Sequence, residues 1–265
     1  MSDAVVLDVD ETGVATLTLN RPDRMNPLTG PIADGLSARL ADLEERDDVR
    51  CVVLEGAGTA FSGGGDVQDL RDNIESDASA GEVARQIEQG FGDAMARVAA
   101  CPHPTVAKVD GPAVGAGATL AIACDVVLAS ESAVIGFVFS QVGLNVDGGT
   151  SYLLPRVVGR NTALELVLTG EVCDAERAAD LGLFNHVYSE DDFETEVSAM
   201  VSRIASGPTV ALRHSKRLIR DGLDKSLSEA IHDETLAQGV VFDTHDHEEG
   251  VRAFLEDREP EFEGR

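Results

Sequence analysis

The chain has 265 residues, 43% of them hydrophobic, enough for one large domain or a core with a smaller appendage and too apolar for wholesale disorder. Its 48 acidic residues against 21 basic ones leave a formal charge of −27, which disfavours nucleic acid or an anionic membrane surface as a partner. The acid is spread along the whole chain and lysine is confined to Lys108, Lys216 and Lys225, a pattern that suits an acidic coat adapted to high salt better than a patch for a basic partner.

No basic-then-apolar leader opens the sequence, and the longest apolar run, 114–130, is interrupted by Asp125, so a soluble, cytoplasmic protein is expected. Cys51, Cys101, Cys124 and Cys173 are widely spaced without a CxxC pair, which points to four reduced thiols and neither a disulfide framework nor a zinc site. In chain order, "VVLDVD" and "VATLTL" flank the turn "ETG" and predict a hairpin over 5–19; "NRPDRMNPL" then reads as a loop. Ile32, Leu36, Leu40 and Leu43 form the stripe of an amphipathic helix over 31–46, started by Thr29 and Pro31.

Short buried strands follow at 51–56, 104–111 and 125–130, with helices around 83–99 and 116–123. This alternation, with glycines at the switches, predicts an α/β core whose parallel strands are joined by crossovers. Helix dominates from about 160: "ALELVLTG" stops at Gly170, "AERAADLG" and the strand "LFNHVY" follow, and 191–205, 208–221, 226–242 and 246–256 all read as helices. No flexible linker divides the chain; residues 1–200 are expected to form the core and 201–265 a docked helical region.

Two glycine clusters, "FSGGGDV" (61–67) and "GPAVGAGATLAIACD" (111–125), each enter a helix after a buried strand. Such turns aim backbone N–H groups at one point, where a nucleotide phosphate, a dinucleotide or a carbonyl becoming an oxyanion would fit. No GxxxxGK[ST] is present, and "GAGATL" lacks the third glycine of GxGxxG. "GLNVDGGT" (143–150) places Asp147 alone among apolar and glycine residues, where it serves either as a helix cap or as a proton carrier. His245 and His247 beside two glutamates suggest a metal only weakly, because Asp246 and Glu249 fit a capping box and no further ligands cluster; no metal is expected. His186, His214 and His232 show no partner pattern, and Cys101 and His103 in "CPHP" do not form a nucleophile–base pair.

"FSGGGDV", "AVGAGATLAIACDVVLASESAVIGF", "GLNVDGGTSYLLPRVVGR" and "LTGEVCDAERAADLGL" together resemble the crotonase (enoyl-CoA hydratase/isomerase) family, in an order that runs across nearly the whole chain. The resemblance implies a spiral of strand-strand-helix repeats with a C-terminal helical trimerisation region, assembled as a homotrimer or a dimer of trimers. It implies an acyl-CoA thioester as substrate, with coenzyme A part of that substrate and no separate cofactor. By motif position the oxyanion donors are the amides of Gly65 and Ala116. Asp66 and Val67 belong to the stretch beside the CoA adenine, and Arg24 and Met25 to the loop at its phosphate–pantetheine end, where arginine suits phosphate; Gly63, Thr119 and Phe139 are further substrate-binding positions the resemblance implies.

The two hydratase glutamates of the family fall at Thr119 and Phe139 here; neither can ionise, and adding water needs groups that deprotonate water and deliver a proton. The loop around Asp147 is instead similar to that of dienoyl-CoA isomerases and the ring-epoxide isomerase of phenylacetate degradation, in which an aspartate is the base. The expected activity is isomerisation by Asp147, with apolar neighbours such as Phe137, Phe139 and Leu144 raising its pKa. Enoyl-CoA hydration and silent acyl-CoA binding stand as the alternatives.

Overall fold

A computed structural model describes residues 3–265. The hairpin strands β1 (Val5–Val9) and β2 (Val14–Leu19) pair antiparallel; β2, β3 (Cys51–Gly56), β4 (Thr105–Val109), β6 (Val126–Ser130) and β9 (His186–Tyr188) then continue as one parallel sheet in that order. A second sheet joins β5 (Pro112–Val114), β7 (Val134–Gly136) and β8 (Val172–Cys173). Each repeat therefore runs from a strand of the large sheet into a short strand of the small one and on into a helix, as in β4, β5 and α5 (Ala116–Ala123). This is the strand-strand-helix spiral the sequence led us to expect.

Both faces of the large sheet are covered, which is why its strands read as unbroken apolar runs and not as alternations. Val52 and Leu54 of β3 point into the main core with α1 (Gly30–Glu44) and α4 (Asp93–Ala100). Cys51 and Val53 point the other way, onto Phe193, Val197, Val201 and Ala205 of α9 (Phe193–Ala205). The predicted stripe of α1 is wholly buried: Ile32, Leu36, Leu40 and Leu43 are inaccessible to solvent, each side chain contributing roughly 1.5–3 kcal/mol. The four cysteines are free, buried thiols; burial pushes Cys51 up to about 12 and Cys173 to about 11, so both stay protonated and inert.

The remaining elements are α2 (Val67–Glu75), α3 (Ala80–Ile87), α6 (Thr150–Val158), α7 (Arg160–Thr169), α8 (Ala175–Asp180), α10 (Thr209–Gly222), α11 (Leu227–Val241) and α12 (His245–Glu256). A π-turn, Glu88–Gly92, joins α3 to α4 where one continuous helix was predicted, and "AVIGFVF" is strand only to Gly136 before a 3-10 segment over Val138–Val142. Asp246 and Glu249 do not form the predicted capping box. Thr244 caps α12 by accepting from the His247 N–H, while Asp246 accepts the N–H groups of Glu263 and Gly264 and Glu249 holds Arg258 and the Glu261 N–H. These two carboxylates strap the C-terminal segment to the helix. Among the described residues no helix is long and apolar enough to cross a membrane.

Candidate active site

The two glycine loops lie side by side. Ser62 bridges to Ala113 as a parallel pair, its N–H donating to the Pro112 carbonyl (3.1 Å) and its carbonyl accepting from Val114 (3.0 Å). Gly64 takes φ +84°, and a Cβ there would fall 2.5 Å from the Val114 carbonyl oxygen, so glycine is what lets the loops close. The amides around them are occupied: Gly63 donates to the Met25 carbonyl (2.6 Å), Gly64 to Ser62 Oγ (3.2 Å) and Gly115 to the Gly136 carbonyl (2.8 Å). Among the described residues, the N–H groups of Gly65 and Ala116 donate to no protein acceptor. Ala116 opens α5, where the first N–H groups have no intrahelical partner and the helix dipole is positive. Two free amides at the mouths of adjacent loops are the donors an oxyanion requires.

The loop 21–28 is pinned against this pair by Asn26, a residue not singled out in the sequence. It is fully buried in the left-handed region (φ 49°), donates through Nδ2 to the carbonyls of Ala57 (2.9 Å) and Ala60 (2.8 Å), and accepts the Arg21 N–H through Oδ1 (2.9 Å). Its only sequence signal was the turn composition around it. The pinning sets Met25 beside Gly63 and brings Arg24 to Asp66, with which it forms an ion pair. Asp66 also caps α2, its Oδ1 accepting the Gln68 N–H (2.8 Å). Met25 and Val67 stay exposed beside this pair, an apolar and charged rim on the open side of the amides.

Asp147 is not the cap of α6. That helix begins at Thr150 with Gly149 as its N-cap, and the Asp147 main-chain carbonyl accepts both the Thr150 N–H (3.0 Å) and the Thr150 hydroxyl (2.7 Å). Its side chain is left over: Oδ1 is buried and, among the described residues, has no hydrogen-bond partner. Burial pushes the carboxyl above its ordinary range, because no donor compensates the charged form. Of the expected apolar neighbours, Phe137 and Phe139 are buried in the core, whereas Leu144 is exposed. Phe91, on the π-turn, is a further aromatic next to the Asp147 loop: Gly148 has φ +58°, and a Cβ there would collide with the Phe91 ring. Single π-turns inside helices often mark functional sites, and this one moves Phe91 into position.

Thr119 and Phe139, which stand at the hydratase carboxylate positions, are both buried. The Thr119 hydroxyl donates to that of Thr150 (2.6 Å), whose own proton goes to the Asp147 carbonyl, and the Gly115 carbonyl, 3.3 Å away, is the alternative acceptor for Thr119. A continuous polar chain thus runs from Gly115 through Thr119 and Thr150 to the carbonyl of Asp147. It ties the helix that carries the Ala116 amide to the loop that carries the carboxylate. Sequence reasoning missed Thr150, since a threonine in the first turn of a helix carries no signal of what lies across from it.

Residues 10–265 match the family described as enoyl-CoA hydratase/isomerase. The chain belongs to the enoyl-CoA hydratase/isomerase family. It is 35% identical over 260 residues to 1,2-epoxyphenylacetyl-CoA isomerase of Escherichia coli K12, covering 98% of each chain. It is 31% identical over 264 residues to trans-2-decenoyl-(acyl-carrier-protein) isomerase of Streptococcus mutans, again covering 98% of each. Among solved structures it superposes on enoyl-CoA hydratase of Mycobacterium smegmatis with a TM-score of 0.91 at 33% identity, covering 98% of both chains. The family thus includes isomerases and hydratases at similar distance, and the crotonase fold is common to them. Among the described residues no cluster of His, Cys, Asp and Glu is arranged to hold a metal ion.

Proposed function

We propose that this member of the family is an acyl-CoA isomerase, shifting a double bond or isomerising a ring epoxide in a CoA thioester with Asp147 as the single base. The thioester oxygen accepts from the N–H groups of Gly65 and Ala116. For a 3-enoyl-CoA, the Asp147 carboxylate takes a proton from C2; the C–H electron pair forms the C1–C2 double bond of a dienolate, and the charge rests on the oxygen between the two amides. Protonated Asp147 then returns the proton at C4, the thioester carbonyl reforms, and a 2-enoyl-CoA leaves. One carboxylate completes the cycle, with no water and no cofactor beyond the CoA portion of the substrate.

Arg24, Met25, Gly63, Asp66 and Val67 form the rim for that CoA portion in this reading, Arg24 and Met25 facing its phosphate–pantetheine end and Asp66 and Val67 its adenine. The observation that carries the proposal is the half-buried Asp147 carboxylate, its Oδ1 buried without a partner and its pKa raised, combined with threonine and phenylalanine where hydration would need carboxylates. The names of the E. coli and S. mutans relatives favour the same reaction class. We also read the apolar residues exposed on α10–α12, such as Leu223, Leu227 and Phe254, as a homo-oligomer surface, consistent with a trimer and measurable by sedimentation.

The test is turnover of a 3-enoyl-CoA and a 2-enoyl-CoA side by side, with products identified by NMR. Migration of the double bond without water addition supports the isomerase. Hydration of the 2-enoyl-CoA as the faster reaction, or binding of both esters without turnover, would overturn it.

A further inference from the structure

A cavity of about 360 Å³ lies between α10 and the end of α4, lined by Arg213, His214, Lys216, Arg217 and Arg220 on one side and Ala100–Pro102 on the other. The segment 100–102 leads into the N-terminal end of β4, whereas the candidate oxyanion loops leave the C-terminal ends of the strands. The cavity is therefore at the opposite edge of the sheet, about a strand length of five residues or roughly 16 Å away. No carboxylate lines it.

That absence matters on this chain. With 48 acids for 21 bases, a basic side chain meets a carboxylate almost anywhere, and Lys216 and Arg220 do: Lys216 pairs with Asp125 and Arg220 with Asp221. Lys216 also donates to the His103 carbonyl (2.8 Å) and Arg220 to the Ala99 carbonyl (2.8 Å), bonds that tie α10 to the chain on either side of the lining segment 100–102. Arg213, by contrast, has no hydrogen-bond or ion-pair partner among the described residues. Arg217 donates only to His214 Nδ1 (3.4 Å), which requires that nitrogen to be unprotonated. Burial and the Arg217 and Arg213 guanidiniums hold the His214 imidazole below its ordinary pKa, as the charge of the nearby cations predicts. Positions 210, 213, 214, 217 and 220 repeat on one helical face, so the crowding follows from the sequence register.

We propose that this cavity is a second binding site, for a phosphoryl group, with Arg213 and Arg217 as its two ligating guanidiniums. The planar forks of two half-free arginines match the oxygens of a phosphate in a way that lysines would not. The volume suits a small anion, and concavity favours it over the acidic surface of a second copy. Lys216 and Arg220 form the floor and set the field, and His214 sits where a dianion would draw a proton onto it.

The phosphoryl group can be free phosphate or the phosphate of a nucleotide, and two probes separate these. Titration of the intact protein with inorganic phosphate at constant ionic strength, followed by calorimetry, should show saturable binding. Adenosine 5′-monophosphate, counting only the binding that the double variant Arg213→Ala/Arg217→Ala loses, should bind more tightly if the natural ligand is a nucleotide and no more tightly if it is free phosphate. Arg213→Ala and Arg217→Ala should each weaken phosphate by about tenfold or more, since a charged hydrogen-bonding group is removed, and together abolish it. Turnover and fold of these variants should be unchanged, because neither residue touches the candidate active site. Absence of saturable phosphate binding overturns the proposal, as does equal binding by the double variant. So does a concentration-dependent self-association that disappears in the double variant while phosphate fails to bind, which would assign the cavity to a second copy.

Discussion

Replacing Thr150 by valine tests whether the polar chain from Gly115 to Asp147 positions the base. The shape is kept and one hydroxyl is lost, together with its bonds to Thr119 (2.6 Å) and to the Asp147 carbonyl (2.7 Å). Neither partner is fully orphaned: Thr119 still reaches the Gly115 carbonyl, and the Asp147 carbonyl keeps the Thr150 N–H. The cost therefore belongs at the low end for two buried hydrogen bonds, about 1–2 kcal/mol in total. For a chain of this size that corresponds to a fall in Tm of roughly 2–8 °C. The functional effect should be larger than the stability effect suggests, because a shift of the carboxylate by ~1 Å can cost about 10² in rate. With a 3-enoyl-CoA as substrate, kcat should drop about ten- to a hundredfold with KM nearly constant, and the acidic limb of the pH profile should stay in place. Thr150→Ser, which retains the hydroxyl, should restore most of the rate. If Thr150→Val loses stability but keeps kcat, the chain is a structural tie and does not hold the base.

Asp147→Asn should lower isomerisation by about 10²–10⁴ while leaving CoA-ester binding nearly intact, as stopped-flow turnover and equilibrium titration will show. The same variant should be more stable at neutral pH: the folded carboxyl titrates above its unfolded value, so ionisation is opposed by the fold and stability falls as pH rises through that interval, a loss the neutral amide escapes. A Tm unchanged or lowered at pH 7 would contradict the buried, unpartnered carboxylate. Arg258 and the Glu261 N–H hold Glu249 down to about 2, so its contribution is present above the ordinary value of 4.5 and disappears as pH falls toward 2; Glu249→Gln should remove that part of the acid sensitivity and loosen the C-terminal strap, seen as faster amide exchange over 257–265. With −27 charges, stability and assembly should improve from dilute buffer to molar KCl as the Debye length shrinks from about 30 Å to about 3 Å; equal Tm and sedimentation in both would show that the acidic coat does not repel itself appreciably.

Local pattern carried much of this molecule. The stripe of α1, the hairpin, the buried strands and the αL stop at Gly170 were legible because each depends on residues within one or two turns of one another. The glycine loops were legible for a similar reason: where a Cβ would fall 2.5 Å from a carbonyl oxygen, glycine is left as the trace in the sequence. The single carboxylate in "GLNVDGGT" also stood out, but its role did not, since capping and proton transfer ask for the same residue.

The tertiary structure removed the capping alternative: Gly149 is the N-cap, the Asp147 carbonyl goes to Thr150, and the half-buried side chain is left without a donor. It alone paired Arg24 with Asp66, brought Thr119 to Thr150 across 31 residues, and set Phe91 against Gly148. Arg213, Arg217 and Arg220 recur at helical spacing on α10, a pattern the sequence reading passed over, but only the fold placed the end of α4 opposite them, with no carboxylate of the described residues on the cavity lining. Contacts of this kind join residues far apart in the chain, so their chemistry depends on distances that no spacing along one segment encodes.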